Sequence, residues 1–312
     1  MRVYVTGGSG FLGQHLIKEL TRRAYDVVAT TSKDYDLRET ARIKATLDKF
    51  NPDTIIHLAA RVGGIGANMQ YPATFFYDNA VMGLHLIEQS RIYGIKKFVQ
   101  IGTVCSYPKF ASVPFKEEDI WNGYPEETNA PYGLAKKMLL VQIQAYRKQY
   151  GFKGIYVIPT NLYGPLDHFD LAYSHVIPAL IRKCVEALEK NDDKIVLWGT
   201  GKATRDFLFV EDAARGIADA MELYDDAEPI NLGTGHEVSI LDLANLIAKT
   251  VGFHGDIVFD KSKPDGQPRR CIDTTRAIKK IHWEPKIPLE EGLKKTIDWY
   301  RKQTNVHPRK NI

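Results

Sequence analysis

Tyr132 and Lys136 stand four residues apart at the start of a helical stretch opened by Pro131, a spacing that puts both side chains on one face. Such a pair can pass a proton. A free tyrosine has a pKa of about 10, too high for efficient transfer near neutrality, and an adjacent ammonium together with a second positive charge nearby stabilises the phenolate. The same spacing recurs at Tyr93 and Lys97, but Gly94 interrupts that helix and the segment runs into a strand, so the second pair reads as structural. A hydroxyl, Thr103, is expected beside Tyr132 from the loop GTVCSYP, and Cys105 lies two residues further on in the same loop. His175 stands just before another helical stretch, where the chain leaves its first half. Cys105 and His175 can both face a cleft. The ordinary alternative is an inert buried thiol and a capping or surface imidazole.

Acid–base groups of this kind need something to act with, and the amino terminus supplies a candidate. The run TGGSGFLG follows an apolar strand pattern and opens a helix patterned by Leu12, Leu16, Ile17 and Leu20. Gly7 permits a tight turn, Gly10 lets the backbone approach a pyrophosphate, and Gly13 lets the helix pack on the sheet, while the helix start offers free N–H groups. A nicotinamide dinucleotide is the implied cofactor, held by Gly7, Gly8, Ser9, Gly10, Phe11, Leu12 and Gly13. The second strand ends in Ala29, Thr30, Thr31, Ser32 and Lys33, hydroxyls and a lysine that suit a 2′-phosphate, so NADP is favoured over NAD. Asp34 and Asp36, slightly later, point the other way.

The elements that must position these groups follow an alternating pattern. β-like runs at 2–5, 27–31, 54–58, 98–101, 156–159 and 207–210 are separated by helical stretches such as 80–93 and 134–150. That alternation predicts an α/β fold, a doubly wound parallel sheet covered on both faces. After Gly164 an irregular stretch leads into a helix at 176–188, and 205–235 reads as a return to the first unit. The expected division is therefore 1–165 with 205–235 for the dinucleotide, and 166–204 with 236–312 for a smaller α/β substrate-binding domain. Residues 306–312, with Arg309 and Lys310, read as a loose tail.

Composition narrows the class. The 312 residues are 44% hydrophobic and 26% charged, with no apolar run approaching a membrane span and no signal-like amino terminus, so a cytoplasmic protein is expected. Cys105, Cys184 and Cys271 are far apart and lack C-x-x-C spacing, which suggests neither a disulfide framework nor a metal site. A net charge of +4 with interspersed acids argues against nucleic acid and suits an anionic small molecule.

Taken together, GGSGFLG, HLAARVGGI, GTVCSYP, YGLAK, PTNLYGP, SHVIPALIRK, WGTGKATRDFLFVED, INLGTG and VFDKSKPDGQPRR, in that order over nearly the whole chain, resemble the extended short-chain dehydrogenase/reductases. Within them they are most similar to the enzymes that epimerise GDP-4-keto-6-deoxy-D-mannose at C3 and C5 and then reduce its C4 ketone with NADPH. The resemblance implies a Rossmann domain with further cofactor contacts from Ala59, Ile101, Gly102, Thr103, Tyr132, Lys136, Pro159, Thr160, Asn161, Leu162 and His175. It implies Cys105 as base and His175 as acid for epimerisation, and Tyr132, Thr103 and Lys136 for reduction, threonine standing where relatives often carry serine. Lys183, Trp198, Arg205 and Asp273 match positions that hold the GDP-sugar, and a homodimer joined by a four-helix bundle is implied. One departure is visible: some relatives carry arginines where this chain has Ser9 and Thr30, leaving Ser32 and Lys33 to grip the 2′-phosphate. The rival readings are an epimerase or 4-reductase for another GDP-keto-sugar, and an NADP-binding module without activity.

Overall fold

The computed structural model describes residues 1–31, 35–171 and 173–306, excluding the side chains of 305 and 306. Ser32, Lys33 and Asp34, to which the 2′-phosphate expectation attaches, lie outside the described residues, as does the tail at 307–312 with Arg309 and Lys310.

The chain begins β1 (Arg2–Thr6), α1 (Phe11–Arg22), β2 (Asp26–Thr30), α2 (Thr40–Phe50), β3 (Thr54–His57). It continues through α3 (Ile65–Gln70), α4 (Pro72–Ile92), β4 (Lys97–Ile101), α5 (Ala130–Tyr150) and β5 (Gly154–Pro159). The apolar strand residues alternate onto both faces of one sheet. Val3, Val5, Ile56, Val99 and Val157 meet α1 and a later helix on one side, and Tyr4, Ile55, Phe98 and Tyr156 meet α4 and α5 on the other. α5 starts with a proline in its first turn and stops at Gly151, whose φ of 65° accommodates the left-handed C-cap.

After β6 (Asn161–Tyr163) come α6 (Val176–Lys190), β7 (Lys194–Trp198), β8 (Thr204–Arg205), β9 (Phe207–Phe209), α7 (Val210–Leu223) and β10 (Ile230–Leu232). β11 (Val238–Ser239), α8 (Ile240–Val251), β12 (Asp256–Asp260), β13 (Arg269–Arg270), α9 (Thr275–Ile281) and α10 (Leu289–Val306) complete it. β10 returns to the main sheet, whose order is β10-β5-β4-β3-β1-β2 with every pairing parallel. The order reverses at β1, so a crevice opens beyond the carboxyl ends of β1 and β3, where doubly wound folds bind ligands. A third core gathers residues of α6, α8 and α10 with Phe207 and Phe209.

Three details depart from the sequence patterns. α4 begins at Pro72 instead of 80, because Pro72 occupies the first turn where its missing N–H is harmless. The short helix α3 has no amphipathic period to announce it. The run at 207–210 forms no strand of the main sheet: β9 pairs with β6 alone, leaving the sheet edge to β10.

Candidate active site

The glycine turn closes on itself. Gly7 has a φ of +69°, and its carbonyl accepts from Gly10 N at 3.0 Å. A Cβ on Gly13 would fall 2.3 Å from that carbonyl and 2.7 Å from Gly8 Cα, and one on Gly7 would fall 2.8 Å from Ala59 N. Three backbone segments therefore meet at contact distance, and the start of α1 carries no side-chain cap on its free N–H groups. Ser9 is exposed and offers only its carbonyl, to Gln14 Nε2 at 3.1 Å. Phe11 packs edge-on to His15, which bonds Pro165 O at 2.9 Å, tying the turn to the start of the 164–175 segment. The cradle fits a dinucleotide pyrophosphate. Gly13→Ala is expected to force α1 off the sheet at about 1–3 kcal/mol and weaken dinucleotide binding at least about tenfold; unchanged affinity by fluorescence titration would remove the close-packing argument.

The candidate proton-transfer groups gather at the end of β4. Beyond Ile101 the chain passes through Gly102, where a Cβ would lie 2.2 Å from the Tyr156 ring, into Thr103, whose hydroxyl accepts from Cys105 N at 3.2 Å. α5 lies directly on this loop, because a Cβ on Gly133 would meet Cys105 O at 2.3 Å and Ser106 Oγ donates to Gly133 O at 2.9 Å. The Tyr132 phenol faces the Thr103 hydroxyl. Lys136 is 2% exposed and donates to Ile101 O at 3.1 Å.

Burial governs the titration of both. The Lys136 ammonium is pushed down to about 8. The Tyr132 phenol is pushed up, first by burial and then by the charge of Cys105, with the Thr103 hydrogen bond pulling back. Lys136 is aimed at Ile101 O and is not among the groups that shift the phenol. Tyr132 is held as the neutral acid.

His175 occupies the N-cap position of α6 but makes no side-chain cap bond. By surface area it is open to solvent, yet protein crowds around it, as at the wall of a cleft. That desolvation, then the charges of Arg270 and His168, hold its imidazole below the usual range.

Two arginines make the far wall. Arg205 and Arg270 are register partners on β8 and β13, and are 9% and 7% exposed. Arg205 donates to Thr204 O at 2.7 Å and Asp265 O at 3.2 Å; Arg270 donates to Gln267 Oε1 at 3.1 Å and Asn161 Oδ1 at 3.2 Å. Neither has a carboxylate within ion-pair distance among the described residues. Burial, and next the Arg270 charge, push Arg205 down to about 9, opposed by Cys105, Glu126 and Asp265. Two buried cations side by side without a counter-ion are unfavourable until an anion arrives, and the guanidinium fork suits phosphate. Arg270→Met is expected to raise the KM of a phosphorylated substrate about 10- to 100-fold while leaving the melting temperature unchanged or higher. An unaltered KM would deny the pair its anion.

The remaining predicted positions are dispersed. Trp198 is half exposed under the Lys263 ammonium, with α3 passing close by at Gly66, where a Cβ would lie 3.6 Å from the ring. Lys183 reaches Val196 O at 2.6 Å. Asp273 accepts from Thr275 N at 2.8 Å, and its own N–H donates to Phe115 O at 2.8 Å, contacts that order the start of α9. Pro159, Thr160, Asn161 and Leu162 link β5 to β6, with Thr160 N bonded to Leu232 O at 2.9 Å and Asn161 Nδ2 to Asp206 O at 2.8 Å. Sequence reasoning missed Arg270 and the approach of α3 to Trp198 at Gly66. The signal was present in PDGQPRR and RVGGI, but only the β8–β13 register shows which arginine stands beside Arg205.

The fold and the cleft define an α/β dinucleotide-dependent enzyme of the extended short-chain dehydrogenase/reductase kind. More particularly, the chain belongs to the NAD dependent epimerase/dehydratase family, whose profile matches residues 3–233. It is similar to a GDP-L-fucose synthase from Sinorhizobium fredii, 43% identical over 297 residues that cover 95% of this chain and 94% of that protein. Among solved structures it resembles a GDP-L-fucose synthetase from Naegleria fowleri bound to NADP, with a TM-score of 0.88 and 30% identity over 99% of this chain and 96% of that one. It also resembles a GDP-6-OMe-4-keto-L-xylo-heptose reductase from C. jejuni, with a TM-score of 0.91 and 28% identity over 97% and 98% of the two chains.

Proposed function

We propose that this enzyme converts GDP-4-keto-6-deoxy-D-mannose to GDP-L-fucose, epimerising C3 and C5 and then reducing C4 at the expense of NADPH. The observation that carries this reading is the meeting of Thr103, Cys105 and Tyr132 at one cleft, with His175 and the arginine pair within electrostatic range on its other side. A simple reductase has no use for the added thiol and imidazole.

The residues divide the chemistry as follows. Protons on C3 and C5 are acidic because each lies α to the C4 ketone. Cys105, as thiolate, removes one, and His175 returns a proton to the opposite face of the enolate. Thr103 and Tyr132 hold the C4 oxygen, and Tyr132, kept protonated by burial, gives it a proton in the reduction. NADPH, when bound at the glycine cradle, supplies the hydride for C4. Lys136 holds the nicotinamide ribose, and Arg205 and Arg270 take the diphosphate, with Trp198 and Lys183 completing the grip. Residues 1–165 with 205–235 serve the cofactor, and 166–204 with 236–312 serve the sugar nucleotide.

The likeness to the heptose reductase favours one second reading, a 4-reductase for another GDP-keto-sugar. Supplying GDP-4-keto-6-deoxy-D-mannose with NADPH separates the two. GDP-L-fucose with matching NADPH consumption is expected, and an unepimerised product or no oxidation overturns the proposal.

The same reading includes a cytoplasmic homodimer. Among the described residues no helix is long and apolar enough to cross a membrane. α4 and α5 pack together and leave Phe76, Tyr77, Ile92, Val141 and Tyr150 exposed, apolar material that a four-helix bundle between two copies would cover.

A further inference from the structure

Beneath Lys136 the main sheet carries a row of polar side chains in its most buried part. Thr6, His57, Gln100 and Tyr156 are successive register partners across β1, β3, β4 and β5, so all four lie on the same face of the sheet. His57 and Gln100 have no exposed surface. Each uses one end only. His57 Nδ1 bonds Thr6 Oγ1 at 2.7 Å, and Gln100 Nε2 donates to Ile101 O at 2.8 Å. His57 Nε2 and Gln100 Oε1, on neighbouring strands, find no protein partner.

Lys136 donates to the same carbonyl as Gln100, Ile101 O, which brings the ammonium to the Gln100 amide. Its charge is felt at His57, whose imidazole is held well below its usual range by burial first and by Lys136 second. An ammonium has three donors, and the Ile101 carbonyl takes one of them. Leaving two buried polar atoms unpaired would cost about 1–3 kcal/mol each, whereas a site with three convergent polar groups suits one water.

We propose that His57, Gln100 and Lys136 enclose a single ordered water that accepts from the ammonium and donates to His57 Nε2 and Gln100 Oε1, making His57 and Gln100 positioning residues for Lys136. The hydrogen count fixes the tautomer. The water has two protons to give, so both acceptors must be free of hydrogen; His57 therefore carries its proton on Nδ1 and donates it to Thr6 Oγ1, which also accepts from Ala59 N at 3.2 Å. The titratable groups on the elements packed against Lys136 are Tyr132 on its own helix, Cys105 in the loop beneath that helix, His57 on β3, and Tyr156 on β5, whose hydroxyl donates to Lys136 O. No carboxylate lies within ion-pair distance of Lys136 among the described residues, so neutral acceptors alone keep it charged against burial.

The inference rests on the proposed role of Lys136 as a cofactor ligand, and its test uses NADPH binding, which needs no sugar. NADPH affinity is measured against pH for the wild-type protein, Gln100→Leu, Gln100→Glu and Lys136→Met. Wild-type affinity is expected to fall as pH rises through the loss of the ammonium, with a midpoint absent from Lys136→Met. Gln100→Leu removes an acceptor and moves that midpoint down by about one pH unit, a tenfold change in the charged-to-neutral ratio. Gln100→Glu supplies a carboxylate and moves it up. Shifts of the same sign in both variants, no shift in either, or a midpoint that survives Lys136→Met overturns the inference, whereas failure of NADPH to bind at all overturns the proposed function instead. Because both variants are buried in the sheet, a second reading uses the unaltered protein: the ring nitrogen shifts of His57 are expected to report Nδ1–H, and an Nε2–H tautomer refutes the water site.

Discussion

Tyr132→Phe is expected to lower C4 reduction by about 10²- to 10⁴-fold, the range for removing a positioned general acid, while exchange of the C3 and C5 protons with solvent continues. The variant keeps the ring, so the seat of α5 on the Cys105 loop, which depends on Gly133 and Ser106, is undisturbed. Only the hydroxyl that faces Thr103 is lost. Thr103 still offers a hydrogen bond to the C4 oxygen, which suffices to polarise the ketone and acidify its neighbours but not to deliver a proton as hydride arrives. Cys105 keeps its backbone bond to Thr103. The measurements are NADPH oxidation by absorbance and deuterium uptake into the sugar in heavy water by mass spectrometry. Equal loss of both activities would show that the two reactions do not divide between these residues.

Cys105→Ser should produce the opposite division. A serine hydroxyl is a far weaker acid than a thiol, so little alkoxide forms near neutrality, and proton removal from C3 and C5 falls by about 10²- to 10⁴-fold. The substitution fits the existing space at a partly exposed position, and the Cys105 N–H that Thr103 caps is retained. Tyr132 and Lys136 remain, so the enzyme is expected to reduce the unepimerised ketone slowly and release a GDP-6-deoxyhexose that is not GDP-L-fucose. Normal GDP-L-fucose formation would place the base elsewhere. Loss of NADPH binding together with activity would mean that the loop, and not the thiol, had failed.

Much of the site is legible in the sequence because its motifs are local. The glycine turn is one strand, one turn and one helix start, and Gly7, Gly10 and Gly13 are needed by contacts within a dozen residues of one another, Ala59 excepted. Tyr132 and Lys136 are four apart on one helix. The alternation of strands and helices specifies a parallel sheet before any contact is known. β9 marks where that reasoning ends, since an apolar triplet can pair with the sheet edge or with β6, and only the packing of 207–209 against Tyr163 chooses.

By itself, then, the sequence determines the dinucleotide cradle, the placing of Tyr132 and Lys136 on one helix face, the hydroxyl loop ahead of them and the fold class, because each is set by backbone sterics or by periodicity over short spans. Tertiary structure alone decides the rest. It sets Arg270 beside Arg205 through a two-residue strand pairing, carries α3 to within reach of Trp198, and aligns His57 with Gln100 under Lys136. These partners are separated by tens of residues, and what joins them is strand register and the exclusion of water. Burial is likewise a property of the assembled fold: it holds Tyr132 protonated and brings Lys136 down to about 8.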